Sequence, residues 1–218
     1  MGSSIDDNAG RNTNCIKQSN RSYENLEFRQ YDENENIIYY YRKQNNFSSD
    51  HAFFVYDKNE KIIGYIAKIF NPIERYEFYD ENKEIKFYIE KTINCCEADK
   101  YTFFGKDKNI ESIIKIKVSC GIHTIEEYNK YESRTNTAIM KADCCGADTC
   151  NEIDVEGNII FIIKKFSDCG TGIIKIYDNN RNEVNLKDKN IFNEGFTKIQ
   201  IILILILFYY DQEPLYKA

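Results

Sequence analysis

The sequence predicts a mainly β protein: a closed antiparallel barrel of about twelve strands around a buried hydrophobic C-terminal helix. Aromatic residues make up 14% of the 218 residues, with 17 Tyr and 14 Phe, and such residues favour strands. A short hairpin pattern recurs, and with only 2 Pro and 10 Gly its turns depend on Asn and Asp. Near the C-terminus, residues 201–210 form an unbroken apolar run of ten.

The chain divides into a tail and one domain. Residues 1–21 are polar and rich in Asn and Ser, which predicts a disordered N-terminal tail. Residues 22–218 are predicted to form the barrel domain. No secretory signal peptide is recognised at the N-terminus, so we expect the eight cysteines to be reduced thiols.

The repeated unit is a hairpin whose turn contains an aspartate. Aspartate and asparagine suit such turns because they tolerate left-handed backbone angles and bind their own main chain. Successive turns are 23 to 27 residues apart, except for one interval of 47, which predicts an insertion near residues 121–143. The predicted turns lie at Asp32, Asp57, Asp80, Asp107, Asp154 and Asp178.

Between the turns, apolar and polar residues alternate. In "SIIKIKV", Ile114 and Ile116 alternate with Lys115 and Lys117, as in a strand with one wet face. Six hairpins give about twelve strands, and a sheet of that size curls and loses its edges by closing into a barrel. A β-sandwich or a propeller fragment is the alternative, but the apolar C-terminal segment favours the barrel.

The C-terminal segment is predicted to fill the barrel as a helix near residues 196–210, about 22 Å long. Asn193 or Thr197 would cap its start, and Pro214 follows its end. It is too short to span a bilayer, and its burial stabilises by roughly 15–20 kcal/mol. A central strand is the alternative, because isoleucine is β-branched. The predicted buried residues are Ile201, Ile202, Leu203, Ile204, Leu205, Ile206, Leu207 and Phe208.

Charge and motifs exclude several classes of function. The net charge of −6 and the lack of a long basic block argue against a nucleic-acid partner. His51 and His123 have no nearby nucleophile in a recognisable motif, and no glycine-rich phosphate loop occurs. We therefore expect a protein that is not an enzyme.

The hairpin series resembles the phospholipid scramblase family, whose domain is a tubby-like barrel. The segments that carry the resemblance run in order from "LEFRQYDENENIIYYYRKQ" through "FFVYDKNEKIIGYIAKIFNP", "YEFYDENKEIKFYIEKTINCC" and "YTFFGKDKNIESIIKIKVSC". "CCGADTCNEIDVEGNIIFIIKKFSDCGTG", "YDNNRNEVNLKDK" and the apolar terminal segment complete it. The resemblance implies a twelve-stranded barrel around a central C-terminal helix.

The resemblance also implies a function. It is bidirectional, calcium-dependent movement of phospholipids between leaflets, at the cytoplasmic face of the plasma membrane, with membrane phospholipids as partners. Where the family has a dense cysteine cluster, this chain has only "FNPIER". The alternative is therefore a non-catalytic, tubby-like adaptor for lipid head groups or proteins, with a soluble cytosolic pool.

The implied sites follow from the same resemblance. The family's calcium loop corresponds to Asp178, Asn180, Asn182 and Glu183, although oxygen ligands with only two charges also suit an ordinary turn. Palmitoylation is implied at Cys95, Cys96, Cys144 and Cys145, and small core residues are the alternative. Zinc is not expected at "CCGADTC" and Cys169, because no CxxC pair occurs.

Overall fold

The computed structural model describes residues 13–20, 26–45, 51–70, 72–93, 98–119, 122–141, 148–168, 171–192 and 195–209. These residues form fourteen strands and one helix. The strands are β1 Cys15–Asn20, β2 Glu27–Tyr31, β3 Ile37–Asn45, β4 His51–Asp57, β5 Ile62–Phe70, β6 Glu74–Asp80, β7 Ile85–Thr92, β8 Asp99–Gly105, β9 Ile110–Ser119, β10 Ile122–Asn129, β11 Arg134–Lys141, β12 Asp148–Asp154, β13 Ile159–Asp168 and β14 Thr171–Asp178, and the helix is α1 Lys198–Tyr209.

The strands close into a barrel by simple succession. Each strand pairs antiparallel with the next, and β1 pairs antiparallel with β14, with Ile16 opposite Ile174. Closure leaves no strand edge open for pairing with another chain. The predicted mainly β closed barrel around a C-terminal helix is confirmed, but it has fourteen strands instead of about twelve.

Seven turns of one geometry lie at one end of the barrel, which we call the turn end; six of them connect consecutive strands, and the seventh follows β14. In six of the seven turns the first residue is Asp or Asn, and its Oδ1 accepts hydrogen bonds from the main-chain N–H groups of the third and fifth residues. The fourth residue has a positive φ, as Lys83 (64°) and Arg181 (67°) show. The first residues are Asp32, Asp57, Asp80, Gly105, Asn129, Asp154 and Asp178.

The segment predicted to be an insertion, near residues 121–143, contributes two strands to the barrel. Within the described residues 122–141, β10 and β11 form a hairpin of the usual kind, and they pair with β9 and β12. The interval of 47 residues contains this hairpin because its turn begins with Asn129, which a pattern based on aspartate passes over. The fourth turn begins at Gly105, two residues before the predicted Asp107.

The predicted N-terminal tail of residues 1–21 includes one strand of the barrel. Cys15–Asn20 is β1, a full member of the barrel between β14 and β2, so residues 1–21 are not all tail. Ile16 is the one large apolar residue of this strand, so its sequence resembles that of a polar tail. Two neighbouring strands hydrogen-bond its main chain and thereby hold it in the sheet. Residues 1–12 and 21 lie outside the described residues.

The helix α1 fills the barrel, so the alternative of a central strand is wrong. The predicted buried residues 201–208 lie on it, and all except the half-buried Ile206 are buried. Phe208 packs against the rings of Phe28, Tyr41 and Phe53 from the barrel wall. A helix apolar on every side suits this position, because the wall surrounds it.

Candidate functional site

The chain crosses the turn end before it enters the barrel as α1. This crossing segment comprises residues 183–192 and 195–197 of the described chain. Gln30 inside the barrel donates hydrogen bonds to the carbonyl oxygens of Leu186 (3.0 Å) and Lys189 (2.5 Å). The hydroxyl of Tyr41 donates to Gln30 Oε1 at 2.7 Å. The segment is therefore fixed to the barrel interior by buried polar groups.

A cavity of about 590 Å³ lies at the turn end, beside the first turn of α1. Its volume is in the range of small-molecule sites, which are concave and largely apolar. Barrel strands and the crossing segment both contribute to its walls. The apolar lining consists of Phe87, Phe103, Phe192, Phe196 and Ile201.

Two polar residues on adjacent strands line the same cavity. Glu127 on β10 and Asn136 on β11 are opposite each other in the sheet register. Asn136 Nδ2 donates a hydrogen bond to Glu127 Oε2 at 3.0 Å. Glu127 is only 9% exposed, and no Lys or Arg among the described residues forms an ion pair with it. The cavity therefore contains a buried carboxylate with one neutral donor.

A capping box forms the start of α1, and its threonine also bonds to the barrel wall. Thr197 Oγ1 accepts a hydrogen bond from Gln200 N, and Gln200 Oε1 accepts one from Thr197 N, both at 3.2 Å. Thr197 Oγ1 donates to Glu152 Oε2 on β12 at 3.1 Å. Thr197, one of the two predicted caps, is thus the N-cap, and it couples the helix to a second carboxyl group.

Glu152 is fully buried, and burial raises its pKa to about 7. The hydrogen bond from Thr197 opposes this rise, the charge of Glu127 adds to it, and the Gln200 amide opposes it. Within the described part of the chain, neither Glu152 Oε1 nor Gln200 Nε2 has a hydrogen-bond partner within bonding distance. Glu152 therefore changes charge near neutral pH within an interior that contains a second acid.

We expect this raised pKa to make the protein less stable as the pH rises from about 4.5 to 7. In that window the folded state keeps a proton on Glu152 that the unfolded chain releases, so the folded state loses about 3 kcal/mol of stability. The groups around Glu152 are Glu127 on β10, Thr197 and Gln200 on α1, and its register partners on β11 and β13. None of these is a cation that would reverse the sign.

The measurement is urea unfolding at half-unit pH steps for the wild type and Glu152→Gln. The neutral amide has no proton to release, so the difference in unfolding free energy between the two proteins should grow with pH. The carboxylates of the turns titrate alike in the wild type and the variant, so their contributions to this difference cancel. A difference that is constant from pH 4.5 to 7.5 contradicts the prediction.

Charged residues surround the mouth of the cavity, and they are paired. Lys198 Nζ lies 3.2 Å from Glu111 Oε2 and 5.7 Å from the centre of the Phe103 ring. Lys86 Nζ lies 3.5 Å from Asp80 Oδ2. Lys86 and Glu111 are about half exposed, so the cavity reaches solvent between them.

The residues of the predicted calcium loop are engaged with one another and with the barrel. Asp178 Oδ1 accepts hydrogen bonds from the main-chain N–H groups of Asn180 and Asn182, and these bonds lower the pKa of Asp178. Glu183 Oε1 lies 3.0 Å from the buried Lys175 Nζ. Within the described ranges, no three His, Cys, Asp or Glu side chains are grouped as metal ligands. The loop has the same geometry as the other turns.

The predicted palmitoylation sites Cys95, Cys96, Cys144 and Cys145 lie outside the described residues. Two other cysteines, Cys15 and Cys150, are buried free thiols. Burial raises the pKa of each to about 12, which makes them poor nucleophiles. In the described part of the chain, no helix has the length and apolar character needed to cross a membrane.

The cavity residues were not identified from the sequence. Glu127 follows Ile125 by two residues, and Glu152 follows Cys150 by two, so both acids lie on the inward face of their strands. An acid at an inward position of a barrel strand is the signal that would have found them. Comparison with models of protein families and with curated protein sequences finds no match.

Proposed function

We propose that this chain is a non-catalytic binding module, the adaptor alternative of a scramblase-like, tubby-like barrel. The observation that supports it is the cavity of about 590 Å³, which combines four phenylalanine rings with the buried carboxylate of Glu127. Apolar walls with a few oriented polar groups are typical of small-molecule sites. The cavity lies beside the helix cap, so an occupant would also stabilise the folded state.

The test is a fluorescence titration with N-phenyl-1-naphthylamine, an uncharged apolar reporter. We expect saturable binding at one site. Asn136→Phe places a ring in the cavity and should weaken reporter binding at least tenfold. Thr137→Phe is the matched control, because Thr137 is the next residue on the same strand and faces the other side of the sheet. Binding that does not saturate, or that Asn136→Phe leaves unchanged, rejects the proposal.

A second candidate is calcium-dependent phospholipid movement at the cytoplasmic face of the plasma membrane, with membrane phospholipids as partners. It is supported by exposed apolar side chains at the end of the barrel opposite the turns, which we call the loop end. Because α1 is enclosed, such movement would depend on a disturbed bilayer. The exposed residues are Phe70, Ile73, Ile93, Val118 and Ile122.

A dithionite assay on liposomes that contain the pure protein tests this second candidate. Accelerated loss of inner-leaflet fluorescence on addition of calcium supports it, and Phe70→Ser with Ile93→Ser should reduce the rate. An unchanged rate at millimolar calcium rejects direct phospholipid movement. Fractionation of cells into membrane and soluble pools, with and without calcium, tests the expected location.

A further inference from the structure

We propose that the cavity at the turn end accepts an organic cation, an ammonium group on an apolar body, with the ammonium held by Glu127. The inference rests on the proposed binding function and names the chemistry of the ligand. The charges and the aromatic rings of the site support this assignment.

The cavity lining contains two lysines and two glutamates, and Glu127 is the acid of this lining with which no described Lys or Arg forms an ion pair. The Lys198 ammonium at the mouth is paired with Glu111, and that of Lys86 with Asp80. Glu127 is buried, and among the described residues the Asn136 amide is its one side-chain donor. Burial of a carboxylate without a cation costs free energy. A ligand ammonium that pairs with Glu127 would offset this cost, so it would gain more binding free energy there than beside an exposed acid.

The aromatic lining suits the same ligand. Phenylalanine faces attract ammonium groups within about 6 Å of the ring centre. The Nζ of Lys198 already occupies such a position over Phe103, at 5.7 Å. Phe87, Phe192 and Phe196 provide further ring surface for an apolar body. A ligand with both parts would therefore use the acid and the rings together.

Unpartnered polar atoms lie next to the same wall. Ser112 is 3% exposed, and its Oγ has no hydrogen-bond partner among the described residues. It is opposite the cavity residue Phe103 in the register, and Ile114, two positions further along its strand, is opposite Glu127. Ser112 is therefore diagonal to Glu127 on the inward face, and it supplies no positive charge to that acid.

An anionic ligand is less compatible with these contacts. The capping box already uses Thr197 and Gln200 to bind the first turn of α1. Glu152 adds a second negative charge near Glu127 as the pH rises above its pKa of about 7. An anion would therefore meet two acids, with both lysines at the mouth already paired.

The experiment compares three probes with one apolar body: 4-phenylbutylamine, 4-phenylbutan-1-ol and 4-phenylbutyrate. Each displaces the naphthylamine reporter at pH 8, where the amine is protonated like a lysine side chain. We expect the amine to bind at least tenfold more tightly than the alcohol, and the carboxylate to bind more weakly than both. Glu127→Gln should weaken amine binding about tenfold and leave alcohol binding within twofold.

Glu126→Gln is the matched control, because Glu126 is the preceding residue on the same strand and faces the other side of the sheet, where it pairs with Lys117 and Arg134. It should leave amine binding within twofold. Equal affinity for the three probes, tighter binding of the carboxylate, or amine binding unchanged by Glu127→Gln overturns the cation assignment while the binding function stands. Failure of both the reporter and all three probes to bind rejects the binding function itself.

Discussion

Truncation of Phe208 to alanine should lower the free energy of unfolding by about 4 kcal/mol, because it leaves a void at the centre of the barrel. Phe208 is 1% exposed, and its ring centre lies 4.6 Å from that of Phe28, 5.1 Å from Tyr41 and 5.0 Å from Phe53. These three rings belong to β2, β3 and β4, which are held in a hydrogen-bonded sheet and cannot collapse onto the vacated space. Urea unfolding followed by circular dichroism measures the loss.

The matched control is Phe70→Ala, the same change at a ring that is 70% exposed at the end of β5. It should alter the free energy of unfolding by less than about 0.5 kcal/mol. Equal losses in the two variants would contradict a central position for Phe208. If Phe208→Ala is too unstable to purify, Phe208→Leu, which leaves a smaller void, should still lose more than Phe70→Leu.

The enclosure of α1 could be predicted because its signal is local. A run of ten apolar residues is untenable in water, and the same length is too short to span a bilayer. A capping residue, Thr197, lies directly before the helix. The composition, the length and the capping residue of this segment therefore all favour a helix inside a barrel.

The predicted strand count was wrong because the aspartate pattern missed the β10–β11 hairpin, β1 was assigned to the tail, and the Asp178 turn was interpreted as a hairpin. In six of the seven turns the first residue supplies a side-chain acceptor, and asparagine serves as well as aspartate at Asn129. Gly105 has no acceptor at all, yet its turn keeps the same main-chain bonds. The main-chain geometry is thus the repeated feature, and the aspartate pattern marks only some of its instances.

The cavity could not be predicted because it depends on which face of each strand points inward. Glu127 and Glu152 lie two strands apart, and the pairing of β10, β11 and β12 brings them near the same helix cap. A shift of one residue in register would have placed both acids in solvent. Local patterns specify the strands, whereas the site arises from their register around α1.

Replacement of Gly64 by alanine should destabilise the protein by about 3 kcal/mol, because a Cβ at this position has no room. It would lie 2.3 Å from the main-chain carbonyl oxygen of Tyr79 and 2.9 Å from the Phe192 ring. Tyr79 belongs to β6, whose pairing with β5 fixes that oxygen, so the strands would have to separate. Urea unfolding measures the loss.

Gly105→Ala is the matched control. A Cβ at Gly105 would meet only the end of the Glu111 side chain, at 2.8 Å, and that side chain can rotate away. We expect its cost to be below about 1 kcal/mol. Because Phe192 lines the cavity, Gly64→Ala should also weaken binding of the naphthylamine reporter under conditions where the variant is folded. A Gly64→Ala protein as stable as Gly105→Ala would contradict the close packing of Phe192 and the crossing segment against β5, and with it the position of one cavity wall.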